Sequence, residues 1–583
     1  NGTLATVVGI RNDCTHEDYT PSRTDAETVR QFLAQYLLET GRAKPEEAAA
    51  VLPPPKDERS KGALPSWTQI TTPNRDIRER RFDLGIFAIH LGEIAGESGS
   101  GQPEYADPAT FFDLTYITRG LRAQLVQMMG RLSGRGVGAS VVQLDTTFGG
   151  GKTHTLLAMY HLAKHGYALK DRDDVRGLTN EARVEEPPQA AVAVLDGSYL
   201  SPTKARITAD GLTLKTLWGE MAYQLGGAAA YEYLRASDEA MSAPGSRDHH
   251  RNAACAHKPV LILLDEVLDY ATKAAGVKVG RGYLVEQVQS FIKALTQAVD
   301  PQPNALVVLT LTSSPQQIFG EAARRLQEEL TRVQGTFKTI LERVQRTEVT
   351  AESAEIYEIL RRRLFEKVGT AEDHKRIADA YWKYYRDNDS VFPQYVMDPS
   401  YRDRIAMSYP FHPDLIDVLR DRWGTIQGFQ KTRGVLRLLA LVVSNLYRKN
   451  HGAPLIHVGH IDLAEPEIRR ELLGHVDSPQ GYESAIGSDI AGLPESKAES
   501  ADQRIGGDYY RFGLCEGLGT ALFMYSHMGA GGFIGGTKPQ LWLGILQPDI
   551  ITALAADAYG KLEAALWYME KKVRSHVSAL TQI

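Results

Sequence analysis

Cysteine is scarce in this chain: three residues in 583, at Cys14, Cys255 and Cys515. An odd number so widely spaced supports neither a disulfide framework nor a zinc site, and fits a reducing compartment, so the cytoplasm is the expected location. Long apolar runs are missing as well. Val260–Leu264 is short and Val435–Val443 is interrupted by Arg437, whereas a membrane span needs about 20 apolar residues; no membrane association is expected. Nor is there an excess of positive charge: 66 basic residues stand against 72 acidic ones, a net −6, which excludes a global field that recruits nucleic acid or anionic lipid. The chain opens Asn1-Gly2-Thr3, without an initiator Met or a basic-then-apolar signal, and reads as a fragment edge. What is present is ordinary globular material, 43% apolar and 24% charged, which rules out dominant disorder and fibrous classes. The length suits roughly three to five domains, or a two-domain core with insertions.

Residues 1–80 are polar, carry Pro53-Pro54-Pro55 and show little periodicity, which predicts a loosely packed N-terminal arm or small subdomain. From Phe82, short β-like runs alternate with helical patterns, the signature of a parallel sheet covered by helices. The runs are Val141–Leu144, Ala191–Leu195, Val260–Leu264, Ala305–Leu311 and, more weakly, Val344–Val349. Helices are expected over Thr153–Ala163, Leu214–Leu225, Leu284–Val299 and Ala354–Phe365. After residue 350 the strand signal fades. The expected organisation is therefore an α/β core over 81–350, a helical lid over 351–450 and a mostly helical region over 451–583. The polar, His-rich stretch Ala243–Lys258 joins a strand abruptly, so spacings across it carry little weight.

The strongest chemical signal is Thr146-Thr147-Phe148-Gly149-Gly150-Gly151-Lys152-Thr153, between a strand and an apolar helix. Successive glycines let backbone N–H groups curl around phosphates without Cβ clashes, and the helix that follows points its positive end at them. Lys152 neutralises phosphate charge and the Thr153 hydroxyl ligates Mg²⁺. The general pattern has glycine where Thr146 stands. Downstream, Val260-Leu261-Ile262-Leu263-Leu264-Asp265-Glu266 is an apolar strand ending in two carboxylates: Asp265 to hold Mg²⁺, Glu266 to polarise the attacking water. An extra strand, Ala191–Leu195, lies between the two signals, which is the order of the additional-strand P-loop ATPases. Thr312, after the strand Ala305–Leu311, is the candidate sensor of the γ-phosphate.

Arginines follow at Arg332, Arg343 and Arg346, and again at Arg433 and Arg437. An arginine from a neighbouring subunit and one from the lid are expected to complete the site. Arg433 and Arg437 share one helical face. Arg437 sits among Val435, Leu436, Leu438 and Leu439, and no Asp or Glu lies between 422 and 460, so the γ-phosphate is its expected anion. From Tyr401 to Arg448 eight basic residues face four acidic ones; this +4 patch is read either as a nucleic-acid contact or as a solvated or nucleotide-facing lid surface. His154 and His412 lack partners at metal-ligand spacing. Both rings are read as structural, His154 entering the site only as the end of the phosphate loop.

Several phrases together, Phe148-Gly149-Gly150-Gly151-Lys152-Thr153-His154, Leu214-Lys215-Thr216-Leu217-Trp218-Gly219-Glu220, Leu263-Leu264-Asp265-Glu266, Arg361-Arg362-Arg363-Leu364-Phe365, Ser408-Tyr409-Pro410-Phe411-His412-Pro413 and Thr432-Arg433-Gly434-Val435-Leu436-Arg437, resemble the large bacterial AAA+-like ATPases of the domain of unknown function 499 group, which includes the PglY-like ATPases of BREX-type phage-defence cassettes. That resemblance runs from about 82 to 570, and the group accepts Thr at position 146. It implies an ATPase acting beside a DNA methyltransferase, a helicase or a nuclease, in a protein longer than this chain at its C-terminal end. The expectation is thus an α/β, additional-strand P-loop NTPase core with a five-stranded parallel sheet and a helical lid, which binds Mg·ATP and hydrolyses it. Its expected cofactors are ATP and Mg²⁺, held by Thr147 to His154, by Thr153 and by Asp265, and homo-oligomers are expected. Two rivals stand beside it: a nucleotide switch or scaffold with little turnover, and an origin-recognition-like ATPase or helicase loader.

Overall fold

Four runs rich in Val, Ile and Leu make the body of one sheet whose two faces are both covered, and a short polar strand, Gln345–Glu348, forms one edge. The computed structural model describes residues 64–80, 91–96, 103–145, 151–245, 259–310, 345–348, 353–426, 429, 431–476, 479–527, 535–572 and 577–580. In chain order the main elements of its first part are α1 (Pro108–Leu114), α2 (Arg119–Gly130), β1 (Val141–Asp145), α3 (Lys152–Leu169), α4 (Asp173–Ala182), β2 (Ala191–Asp196), α5 (Leu217–Tyr231), β3 (Val260–Asp265), α6 (Val267–Ala274), α7 (Leu284–Val299), β4 (Ala305–Thr310) and β5 (Gln345–Glu348). The strands lie parallel in the order β5-β1-β4-β3-β2. β1 and β3, which are expected to carry the two halves of the site, are separated only by β4.

The two faces follow the period-2 alternation of the strands. Ile262, Leu264, Val307 and Leu309 point into a core with α5, α6 and α7, whereas Val142, Leu144, Leu261, Leu263 and Val308 point into a second core with α2, α3 and α4. Every residue of β3 and β4 is buried.

The second part is helical: α8 (Ser353–Leu364), α9 (Ala371–Asp387), α10 (Pro399–Ser408), α11 (Pro413–Asp421), α12 (Lys431–Arg448), α13 (Pro466–Leu473), α14 (Leu514–Tyr525) and α15 (Thr552–Ala565). These share a single core running from Tyr357 to Leu566 without a break near residue 450. A small antiparallel sheet of Gly536–Thr537, Met569–Lys572 and Val577–Leu580 sits near the end. Trp67 and Ile77 belong to this same core. Thr72–Pro73 pairs antiparallel with Phe365–Lys367, Trp67 N donates to Ala453 O at 2.9 Å, and Asn74 Nδ2 donates to Arg363 O at 2.7 Å. The end of the stretch expected to be a loose arm is therefore firmly packed, because Trp67 finds its apolar partners several hundred residues downstream. No described helix is long and apolar enough to cross a membrane.

Candidate functional site

The site forms where the parallel strands end and where α3 begins. β3 carries Asp265 to the sheet's C-terminal edge, with the residue only 2% exposed. Its carboxylate is gripped from three directions. Thr310, the last residue of β4, donates its hydroxyl to Asp265 Oδ1 at 2.6 Å; the Glu266 N–H donates to the same oxygen at 3.1 Å; and the Thr153 side chain, in the first turn of α3, hydrogen-bonds the carboxyl. Burial pushes the Asp265 carboxyl up, and the nearby Asp196 carboxylate adds to that push, against the lowering effect of the hydrogen bonds from Thr310 and Thr153. Asp196 ends β2 directly opposite Asp265 in the register. It accepts N–H groups from Gly92 at 3.0 Å and Ser198 at 2.9 Å, and so ties two turns to the sheet edge.

Two carboxylates this close and this dry create a need for positive charge. A threonine hydroxyl and an aspartate oxygen are the donors that a hard divalent cation takes, so the residues present fit Mg²⁺. The N-terminus of the 18-residue α3 adds the partial positive charge that favours an anion beside it. Lys152, its first residue, is half-buried there.

Glu266 follows Asp265 in a left-handed conformation, φ 50° and ψ 38°. Its N–H also donates to Thr310 Oγ1, at 3.1 Å. Gly197, just beyond β2, lies against it: a Cβ there would come within 2.2 Å of Glu266 O.

His154 is half-buried, its ring tilted against Phe111 with centroids 4.8 Å apart and hydrogen-bonded through Nε2 to Thr115 Oγ1 at 2.9 Å. Burial first, then the charges of Arg363 and His161, push its imidazole down to about 4, so the ring is neutral near pH 7. Its sensitivity to Arg363 places that guanidinium near the start of α3. The arginine run at the end of α8, which the chemical reading passed over, is held by other contacts: Arg362 Nε donates to Asp113 O at 2.8 Å, and Arg363 lies 3.8 Å from Asp76. Only the density of arginines in three successive positions signalled it.

Thr147, Phe148, Gly149 and Gly150 lie outside the described residues, and so do Thr312, Arg332 and Arg343. Gly151 caps α3. Arg346 stands in β5 opposite Gln143 of β1, and Arg433 in the first turn of α12.

Two groups of basic residues meet partners within the protein. Arg437 has an anion within the protein: Nη2 donates to Glu471 Oε2 of α13 at 2.7 Å, and Glu471 is almost fully buried. The argument that the γ-phosphate must serve rested on the absence of acids up to residue 460, and α13 brings one from just beyond. The basic excess of 402–448 is likewise not a free patch. Arg402 pairs with Asp403, Arg404 and Arg420 with Asp417, Arg448 with Glu465, and Arg422 Nη1 donates to the carbonyls of Tyr525 and His527.

Two family models match the chain in succession: the DUF499 N-terminal domain over residues 73–352 and the DUF499 second domain over 351–527. An uncharacterized protein of Archaeoglobus fulgidus is 36% identical over 64 residues, which is 10% of this chain and 84% of the archaeal one. The chain belongs to the DUF499 family.

Proposed function

We propose that this DUF499 chain is an AAA+-like P-loop ATPase that binds Mg·ATP at the C-terminal edge of the sheet and hydrolyses it. One observation carries the reading. Thr153, two residues after the glycine run, meets the carboxyl of Asp265 across the intervening β4, so two motifs 112 residues apart in the sequence join at one point. The strand order, with β4 between β1 and β3 and β2 outermost, supports the additional-strand arrangement. Bound Mg²⁺ would draw charge from the terminal phosphate as the water attacks. Thr153 and Asp265 hold the ion, Lys152 and the start of α3 hold the phosphates, and Glu266 accepts the proton of the water.

The test is calorimetry and phosphate release on the whole chain. Lys152→Ala is expected to abolish Mg·ATP binding, since it removes the cation of the loop; unchanged affinity would sink the reading. The cellular setting, a phage-defence cassette with a methyltransferase, helicase or nuclease, rests on the resemblance of the quoted phrases. Loss of phage protection in cells carrying Lys152→Ala is its check.

A further inference from the structure

A carboxylate that takes a proton from water has to be aimed, and Glu266 is aimed by its backbone. A non-glycine residue in the left-handed region lies above its right-handed alternative, and it persists only where the surroundings enforce it. Here the enforcement comes from both neighbouring strands. On the β4 side, the Thr310 hydroxyl spends its one proton on Asp265 Oδ1 and accepts the Glu266 N–H; it is fully buried and acts through these two groups rather than on a ligand. On the β2 side, Gly197 leaves the space that the Glu266 carbonyl fills, and its own N–H donates to Asp265 O at 2.8 Å. The turn is fastened further by Lys273 at the end of α6, whose Nζ donates to Gly197 O at 3.1 Å and Ser198 O at 3.3 Å. The N–H contacts fix the peptide plane before the Glu266 Cα and the space beside Gly197 receives the carbonyl after it, so both ends of the left-handed turn are held.

We infer that Thr310 and Gly197 are positioning residues that lock Glu266 in the left-handed conformation and thereby set the rate of hydrolysis. The inference rests on the ATPase reading above.

The experiment compares Thr310→Val, Thr310→Ser and Gly197→Ala in the full chain, with ATP affinity, kcat and thermal melting measured on each. Thr310→Val keeps the volume and removes the hydroxyl; kcat is expected to fall by about tenfold or more, as for other supporting residues, and by more than ATP affinity falls. Thr310→Ser restores kcat, which a purely packing role would not produce. Gly197→Ala behaves like Thr310→Val. A backbone readout stands apart from activity: Glu266→Gly is expected to melt above Glu266→Ala by roughly 2 °C, because both lose the carboxylate and only glycine is at ease with positive φ. At a right-handed position inside a helix the order would be reversed. Wild-type kcat in Thr310→Val, no rescue by Ser, or Glu266→Ala melting above Glu266→Gly overturns the proposal. Unaltered nucleotide binding in Lys152→Ala overturns instead the ATPase reading and with it the role, and is recognised by its separate variant.

Discussion

Asp265 and Glu266 are adjacent in the chain and differ in what each can do. Asp265 is held by three hydrogen-bond donors and buried, which suits a cation ligand. Glu266 is half-buried at a turn, which suits proton transfer. Glu266→Gln is therefore expected to keep Mg·ATP affinity and to lower turnover by about a hundredfold or more; wild-type phosphate release would exclude Glu266 as the base. Arg437 calls for the opposite expectation. Its removal leaves the buried Glu471, among the described residues, with His475 3.4 Å away. Arg437→Ala should destabilise the fold by about 1–3 kcal/mol, with the Arg437 side chain one-third exposed keeping the effect moderate, and leave ATP affinity alone. A change in affinity with no change in melting would restore Arg437 to the nucleotide site.

At the scale of elements, α11 shows how a histidine serves as an end cap. His412 Nδ1 accepts the Asp414 N–H at 3.3 Å, so the ring proton is on Nε2, which faces Tyr385 OH at 2.8 Å. His457 stacks on it at 4.5 Å; its Nδ1 donates to Leu543 O at 3.2 Å and its Nε2 accepts from Tyr381 OH at 3.0 Å. Both rings need a neutral nitrogen, and burial holds both below their usual value, His457 at about 4. As the pH falls below about 6.5 the unfolded chain binds protons that these rings refuse. Their contribution to stability is thus present above about 6.5 and is lost down to about 4. Burial pushes Asp414 up to about 7; its contribution has the opposite sign, present below the usual carboxylate range and lost as the pH rises toward 7. With the buried histidines more numerous, the melting midpoint is expected to drop between pH 6.5 and 4, and His412→Asn, which keeps a capping acceptor, to flatten the drop. An unchanged profile in that variant would remove His412 from the account. These elements also show what the sequence made legible. α7 was readable to its ends, Leu284 and Val299, because its apolar residues recur every three or four positions and all face one core. α3 runs past the expected Ala163 to Leu169 because Gly166 packs against Pro187, where a Cβ would come within 2.5 Å, and periodicity does not register such a contact. The pairing of Thr153 with Asp265 followed from motif chemistry. The left-handed Glu266 and the Arg437–Glu471 pair depended on elements meeting in space, which no window of neighbouring residues contains.

For the whole molecule the decisive fact is the extent of the helical core. The second family domain ends at residue 527, yet Trp542, Leu546, Tyr559 and Leu562 are buried in that same core. A fragment spanning 64–527 is expected to aggregate or to melt without cooperativity, whereas 64–583 melts in a sharp transition by circular dichroism. A sharp transition in the shorter fragment would mean that the last helices are an accessory. The residues that close the molecule come from both sides of the sheet: Thr72–Pro73 precedes it and pairs with Phe365–Lys367, which follows it. The sheet is thus an excursion from a helical body whose first piece, Trp67 to Ile77, is made long before the rest. At about 5–20 residues per second, the strand Thr72–Pro73 waits on the order of half a minute on the ribosome for its partner, and Trp67 longer still for Ala453. During that interval the nascent sheet can mature alone while a tryptophan stands uncovered, so the order of synthesis asks for a chaperone's cover at the N-terminal side.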